Sequence, residues 1–265
     1  MQKNKRMAGI LFRELVFGPV KSRRLGVSLG INVLPTEYKY CSFNCIYCEC
    51  GWTLKENFRH VEFPKPEEIK NAMKQKSLQM LEEGRTPDAI TFAGNGEPTL
   101  HPDFPRIVDD TIELRDKYFP EASVTVLSNA SMLHKKDVLE ALKKVDQNML
   151  KLDAGTRETF RLINQPPPHI TLEKIIENLK KFNGHLIIQS LFLRADINGK
   201  IIDNTLDPEV DAWIGHLQAI RPYHVVIYPV DRETPEQNIE KISFDELQRI
   251  GEKVEEAGFR VKIFG

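Results

Sequence analysis

Short apolar runs alternate along this chain with stretches of helical spacing. The runs at 29–34, 89–93, 123–128, 148–153, 186–193, 223–230 and 259–264 predict strands. Between them, Val210, Trp213, Ile214 and Leu217 fall at i, i+3, i+4 and i+7, and Leu172, Ile175, Ile176, Leu179 and Phe182 make a second helical stripe. Ser243 and Glu246 have capping-box spacing ahead of Leu247, Ile250 and Val254, with Gly258 placed to end that helix. Strands alternating with helices predict repeated βα units, hence an α/β fold with a parallel sheet and right-handed crossovers. No linker, repeat or low-complexity tract divides residues 1–265, so one domain is expected; Pro166-Pro167-Pro168 reads as a rigid loop.

Composition changes this picture little. With 41% hydrophobic and 28% charged residues and no long apolar run, a membrane span is not expected. Lys+Arg 37 against Asp+Glu 38 gives no general attraction to nucleic acid, which charge leaves open without indicating. Lys21, Arg23, Arg24 and Lys39 cluster in sequence near the cysteines and read as solvated surface.

The candidate chemistry starts with cysteine. All four lie within ten residues, Cys41, Cys45, Cys48 and Cys50, and the first three have the spacing C-x3-C-x2-C. Three thiolates on one loop can hold three irons of a four-iron cluster and leave the fourth open, whereas electron-carrying clusters usually take four cysteines. A disulfide staple would suit a shorter, cysteine-richer secreted chain. The basic run Met1 to Arg6 is followed by only Gly9-Ile10-Leu11-Phe12 before Arg13, too short for a signal-peptide core, so a reducing cytoplasm is expected. A zinc site remains a rival, although structural zinc usually draws ligands from two separated pairs. A thioredoxin-like pair of Cys45 and Cys48 would leave Cys41 unexplained.

In parallel βα architectures, chemistry gathers at the carboxyl ends of strands. The cysteine loop follows the first predicted strand, and Gly94-Asn95-Gly96-Glu97-Pro98 follows the second. Its glycines permit a sharp turn and close backbone approach, and carbonyls beside a carboxylate suit an ammonium group. Ser128-Asn129, Lys151-Leu152-Asp153, Gln189 with Arg194, and Tyr228-Pro229 lie at the ends of the next four.

Together, Cys41-x3-Cys45-x2-Cys48, with Tyr47 before the last cysteine, and Gly94-Asn95-Gly96-Glu97-Pro98 resemble the cluster loop and Gly-Gly-Glu-Pro motif of the radical S-adenosylmethionine (SAM) superfamily. The resemblance implies a partial (β/α)6 TIM-type barrel over about residues 28–230, with short terminal extensions and a C-terminal helix and strand in 231–265. It implies a [4Fe-4S] cluster on Cys41, Cys45 and Cys48, whose open iron is chelated by the SAM amino and carboxylate groups. Gly94, Asn95, Gly96 and Glu97 would then hold the amino group, and Tyr47 would lie against the adenine. Ser128, Asn129, Asp153 and Gln189 are candidates for ribose and carboxylate contacts, Asp153 foremost for a ribose hydroxyl. Tyr228 and Pro229 are candidates for closing the adenine side. Lys151 is read as pointing to the opposite strand face, with a structural role. Reductive cleavage of SAM would give a 5′-deoxyadenosyl radical that abstracts hydrogen from an unidentified substrate. Flavodoxin or ferredoxin would supply the electron, because no further cysteines exist for a second cluster.

Leu152-Asp153-Ala154-x3-Glu158-Thr159-Phe160 and Asp231-Arg232-Glu233-Thr234-Pro235 look like wyosine-tRNA synthases and their uncharacterised bacterial relatives. The chain lacks the extra N-terminal cysteines of those synthases. It also lacks the histidine-asparagine continuation of glycyl-radical-enzyme activases, reading Glu49-Cys50 instead. Both remain alternatives, as does a non-enzymatic iron–sulfur or zinc regulatory module. Cys50 is read as a small residue near the cluster rather than a ligand.

Overall fold

The computed structural model describes residues 9–54 and 58–265; the basic run at Met1 to Arg6 lies outside them. Six parallel strands run in the order β2 (Gly26–Ile31), β3 (Ala89–Phe92), β4 (Ser123–Ser128), β5 (Gln147–Lys151), β6 (Ile187–Ile197) and β8 (His224–Pro229). Helices follow them in turn: α1 (Pro66–Glu82), α2 (Phe104–Tyr118), α3 (Lys136–Lys144), α4 and α5 (Arg157–Asn164, Leu172–Lys180), α6 (Asp207–Ile220) and α7 (Phe244–Glu256). This is the expected partial (β/α)6 arrangement. It is extended by β1 (Val16–Ser22), antiparallel on β2, and by β10 (Val261–Ile263), parallel on β8. Two short strands, β7 (Lys200–Asp203) and β9 (Ile239–Lys241), pair antiparallel with the far end of β6.

Strand alternation separates two environments. Leu29, Ile31, Ile90, Phe92, Val124, Val126, Leu150, Ile188, Val225 and Ile227 are buried and belong to the hydrophobic core. Burying such side chains stabilises the fold by about 1.5–3 kcal/mol each. The alternate positions carry Ser28, Thr91, Thr125, Lys151 and Gln189. Ser28 and Thr91 hydroxyls bond at 2.7 Å. The lumen thus mixes these polar groups with apolar Leu127, Met149, Leu191 and Val226.

The sequence pattern and the strands differ at several places: β5 ends at Lys151, two residues short of the expected Asp153, and no apolar run marks β7 or β9. β2 occupies residues 26–31 rather than 29–34, because Asn32 ends it: its Oδ1 accepts from the Leu34 and Asn95 amides. Val33 and Leu34 are buried, but in a turn. β6 runs four residues past its expected end, held there by β7 and β9. β1 carries no period-2 signal, since Gly18-Pro19 interrupts it and its register shifts between Phe17 and Val20. The Ser243 and Glu246 capping box forms as expected, with reciprocal bonds at the start of α7.

Candidate active site

The cysteine loop is fastened by its backbone between the end of β3 and the C-terminus of α4. The Tyr40 amide donates to Asn95 O at 2.7 Å, and the Glu97 amide donates to Tyr40 O at 3.1 Å. On the other side, the Asn44 and Ile46 amides donate to Asn164 O and Ile163 O, each at 3.0 Å. Gly96 makes the first contact possible: its φ is +140°, and a Cβ there would sit 1.9 Å from Tyr40 O. The glycine motif thus seats the loop. The Asn95 side chain turns away from the site and ties down the N-terminal segment through Phe12 and Pro35 carbonyls, at 2.9 Å each.

Cys41, Cys45, Cys48 and Cys50 border one cavity of about 200 Å³. Gly94, Gly96, Glu97, Ser128, Asn129, Tyr47 and Gln189 border it too, so the structure brings together most of the residues singled out in the sequence. Cys41, Cys45 and Cys48 each meet an N–H donor. Asn129 Nδ2 lies 3.6 Å and the Phe43 amide 3.4 Å from Cys41 Sγ, Asn164 Nδ2 lies 3.5 Å from Cys45 Sγ, and the Lys39 ammonium bonds Cys48. Among the described residues, no three His, Cys, Asp or Glu side chains converge on a single-ion site. A lone zinc ion draws its thiolates to about 2.3 Å. Sulfurs spread around a cavity, each with an amide or ammonium donor, instead suit the three occupied corners of a four-iron cluster.

Cys50 stands apart. Its thiol donates to Gly94 O at 3.3 Å. Its hydrogen bond to Cys48 pushes the Cys50 thiol up and holds Cys48 well below the ordinary thiol range, with Lys39 adding to the latter. Burial pushes Cys41 up to about 12 and also raises Cys45, against the pull of Lys151 and Lys39.

Glu97 is buried, and burial raises its pKa despite four donors. Oε1 accepts from Thr99 N at 3.1 Å, Thr99 Oγ1 at 2.5 Å and Ser128 Oγ at 2.8 Å, while among the described residues Oε2 accepts only from Asn129 N, at 2.6 Å. Oε2 therefore keeps acceptor capacity toward a bound ammonium.

Asp153 lies beneath the cavity, 2% exposed, rather than on its wall. Its oxygens accept from Tyr47 Oη, from Asn164 Nδ2 at 2.7 Å and from the Leu191 amide at 3.0 Å, with Lys151 Nζ 3.3 Å away. Lys151 also donates to Tyr47 Oη at 2.5 Å. Lys151 is therefore not on the opposite face. It and Asp153 are two residues apart and share a face. Burial lowers the Lys151 pKa, but Asp153 and nearby Tyr228 and Cys45 outweigh it and raise the value overall.

Two of the cations read as solvated surface belong to the site. Lys39 is 3% exposed and donates to Gly51 O at 2.9 Å. Burial disfavours its charge, and the thiols of Cys48, Cys41 and Cys45 together outweigh that. Arg24 reaches over the barrel mouth, its guanidinium 4.4 Å from the Tyr228 ring centre and Nη1 3.1 Å from Gln189 Oε1. Both escaped the sequence reading because charge alone does not reveal burial; the position of Lys39 two residues before Cys41 was the available signal.

A family model described as the Radical SAM superfamily matches residues 38–194. The chain is 32% identical over 252 residues to a protein named GTPase Obg from Brachyspira hyodysenteriae, covering 94% of this chain and 34% of that protein. It is 34% identical over 183 residues to a UPF0026 protein of Methanocaldococcus jannaschii, covering 68% and 54% respectively. The chain thus spans about a third to just over half the length of these curated relatives. Its fold is similar to a radical SAM methyltransferase from Sphaerobacter thermophilus, with TM-score 0.67 and 14% identity over 89% of this chain and 65% of that one. It is also similar to TYW1 with a lysine–pyruvate adduct bound, with TM-score 0.62 and 16% identity over 86% and 73%. The matched segment carries the cysteine loop, the Gly94–Glu97 turn and β3 through most of β6, and the chain belongs to the radical SAM superfamily, enzymes that use a [4Fe-4S] cluster and SAM.

Proposed function

We propose that Cys41, Cys45 and Cys48 hold three irons of the cluster, and that the SAM amino group meets Glu97 Oε2 and the Gly94–Gly96 turn. The observation that carries this reading is the arrangement of the three sulfurs around one cavity, each facing an N–H donor, opposite a buried carboxylate with a spare acceptor. Held there by Cys41, Cys45 and Cys48, the cluster would supply the electron for reductive cleavage of SAM, the radical chemistry that removes hydrogen from a substrate.

The chain's own groups do the rest. Asn129, Asn164 and Lys39 direct donors at the sulfurs and stabilise their thiolate form. Ser128 and Thr99 fix the Glu97 carboxylate. Asp153 and Lys151 fix the Tyr47 hydroxyl, which orients the ring for stacking on a base. Tyr228 borders the same cavity, consistent with the adenine side. Ser128, Asn129 and Gln189 border the cavity, as a ribose or carboxylate contact would require. Asp153 acts through Tyr47 in this reading. The aromatic and aliphatic walls, Phe43, Leu127 and Tyr228, exclude water from the reacting centre.

Radical SAM enzymes take their electron from an external donor, and a flavodoxin or ferredoxin fits a chain whose four free cysteines all lie in one loop. Free, clustered thiols fit a reducing cytoplasm. Among the described residues, no helix is long and apolar enough to cross a membrane.

The test is anaerobic reconstitution followed by iron analysis and electron paramagnetic resonance of the dithionite-reduced protein with and without SAM. Four irons per chain and a SAM-dependent change of the cluster signal are expected, in the wild type and in Cys50→Ser alike. A cluster signal indifferent to SAM would overturn the assignment.

A further inference from the structure

A second compartment of about 260 Å³ adjoins the cluster cavity and shares Arg24, Tyr47, Cys48, Cys50 and Tyr228 with it. Its charged lining is Arg23, Arg24, Glu49, Asp231 and Arg232. Four of these five neutralise one another: Arg23 pairs with Asp231 at 3.0 Å, and Arg232 with Glu49 at 2.8 Å. Arg24 is the exception; among the described residues no carboxylate lies within ion-pair distance of it.

Its guanidinium is nevertheless held in place. Ser22 Oγ accepts from the Arg24 and Leu25 amides at 3.3 and 3.2 Å, which sets the β1–β2 turn. The Tyr228 ring supports the guanidinium plane, and Gln189 takes one N–H while its own amide donates to Met149 O at 3.1 Å. Three strands thus aim a positively charged fork at the boundary between the compartments. A guanidinium has five N–H donors, and among the described residues only one is committed, which leaves a bidentate edge.

We propose that this vestibule is the substrate compartment and that Arg24 binds an oxyanion of the substrate, a carboxylate or a phosphate monoester. The proposal rests on the reading of the inner cavity as the cluster and SAM compartment. It places the anchored end of the substrate beside Tyr228 and the reacting carbon toward the cysteine loop. A neutral, apolar substrate would leave the Arg24 charge uncompensated in a partly enclosed site. The SAM carboxylate is a second source of the same chemistry, and the experiment separates the two.

SAM binding to the anaerobically reconstituted wild type is measured first by calorimetry. Inorganic phosphate and malonate are then titrated into the SAM-saturated protein and into Arg24→Met and Arg24→Lys. Binding of at least one anion is expected, weakened about tenfold or more in Arg24→Met, as befits loss of a charge-assisted bidentate pair. Arg24→Lys, which keeps the charge without the fork and guards against misfolding of the methionine variant, is expected to bind with intermediate affinity. Absence of anion binding in the wild type, or equal binding in all three proteins, would overturn the proposal. So would a parallel loss of SAM affinity in Arg24→Met, which would assign the guanidinium to the SAM carboxylate. Failure of SAM to bind the wild type would instead strike the reading of the inner cavity.

Discussion

The Lys39 ammonium donates to Gly51 O at 2.9 Å and so closes the cysteine run across its base, one residue on either side of the segment from Tyr40 to Cys50. The same ammonium is a buried positive charge bonded to Cys48, and it acts on Cys41 and Cys45 as well. It fastens the loop and sets its electrostatics at once.

A fixed positive charge beside a cluster favours the reduced, more negative state. Lys39→Met is expected to lower the midpoint potential on the order of 60 mV, a tenfold change in a one-electron equilibrium. Redox titration followed by electron paramagnetic resonance reads this directly, and Lys39→Arg should stay close to the wild type. An unchanged potential in Lys39→Met, with four irons retained, would refute the electrostatic role.

Gly96 and Gly84 both have positive φ, +140° and +65°, but a Cβ at Gly84 meets nothing within 4 Å. Gly84→Ala should therefore lose only the about 1–3 kcal/mol of backbone strain at most. Gly96→Ala adds a collision with the Tyr40 carbonyl and should lose clearly more, together with iron uptake. Urea denaturation and iron analysis of the two variants make the comparison; equal losses would mean that the glycine does not seat the cysteine loop.

Among its partners, buried Asp153 holds the Tyr47 hydroxyl and pairs with the largely buried Lys151. Removing one member of a buried ion pair is strongly destabilising, about 3–5 kcal/mol. Asp153→Ala should therefore lose stability on that order in the SAM-free protein, and Lys151→Met in the same chain should restore part of it. If Asp153 acted only on a bound ribose, the SAM-free protein would unfold at the same urea concentration as the wild type.

His101 anchors the segment leading into α1. Nδ1 accepts from the Asp103 amide at 3.0 Å, which leaves Nε2 to donate to Pro64 O at 2.8 Å, so the bonded ring is neutral. Burial lowers its pKa, against opposing contributions from Pro64 and Asp103. The unfolded chain then takes up the proton first. The stabilisation is fully present above the unfolded value of about 6.5 and is lost as pH falls through it toward the lower folded value. Stability measured between pH 7.5 and 5.5, about one unit either side of that value, should fall more steeply in the wild type than in His101→Gln. Parallel curves would contradict the assignment.

Much of this architecture was legible because its strands are buried on the helix side by mostly apolar residues. Ser123–Ser128 coincides with its apolar run, and the Trp213 and Leu172 stripes mark α6 and α5. Local signals failed where tertiary contacts decide. β1 is a strand only because β2 offers it a partner, and Val33 and Leu34 are buried without being extended pairs. In the site, cysteine and glycine spacing identified the loop and its seat. The roles of Lys39, Arg24, Lys151 and Asn164 depend on contacts between residues far apart in the chain, which spacing does not encode.

The central claim is that three cysteines and Glu97 form a SAM-cleaving site, and product analysis tests it most directly. Anaerobically reconstituted protein is incubated with dithionite and SAM, and 5′-deoxyadenosine and methionine are quantified by chromatography and mass spectrometry. The site described here predicts both products in equal amounts from the wild type and from Cys50→Ser, and neither from Cys41→Ala, Cys45→Ala or Cys48→Ala. A wild-type protein that carries four irons and binds SAM yet forms no 5′-deoxyadenosine would contradict it.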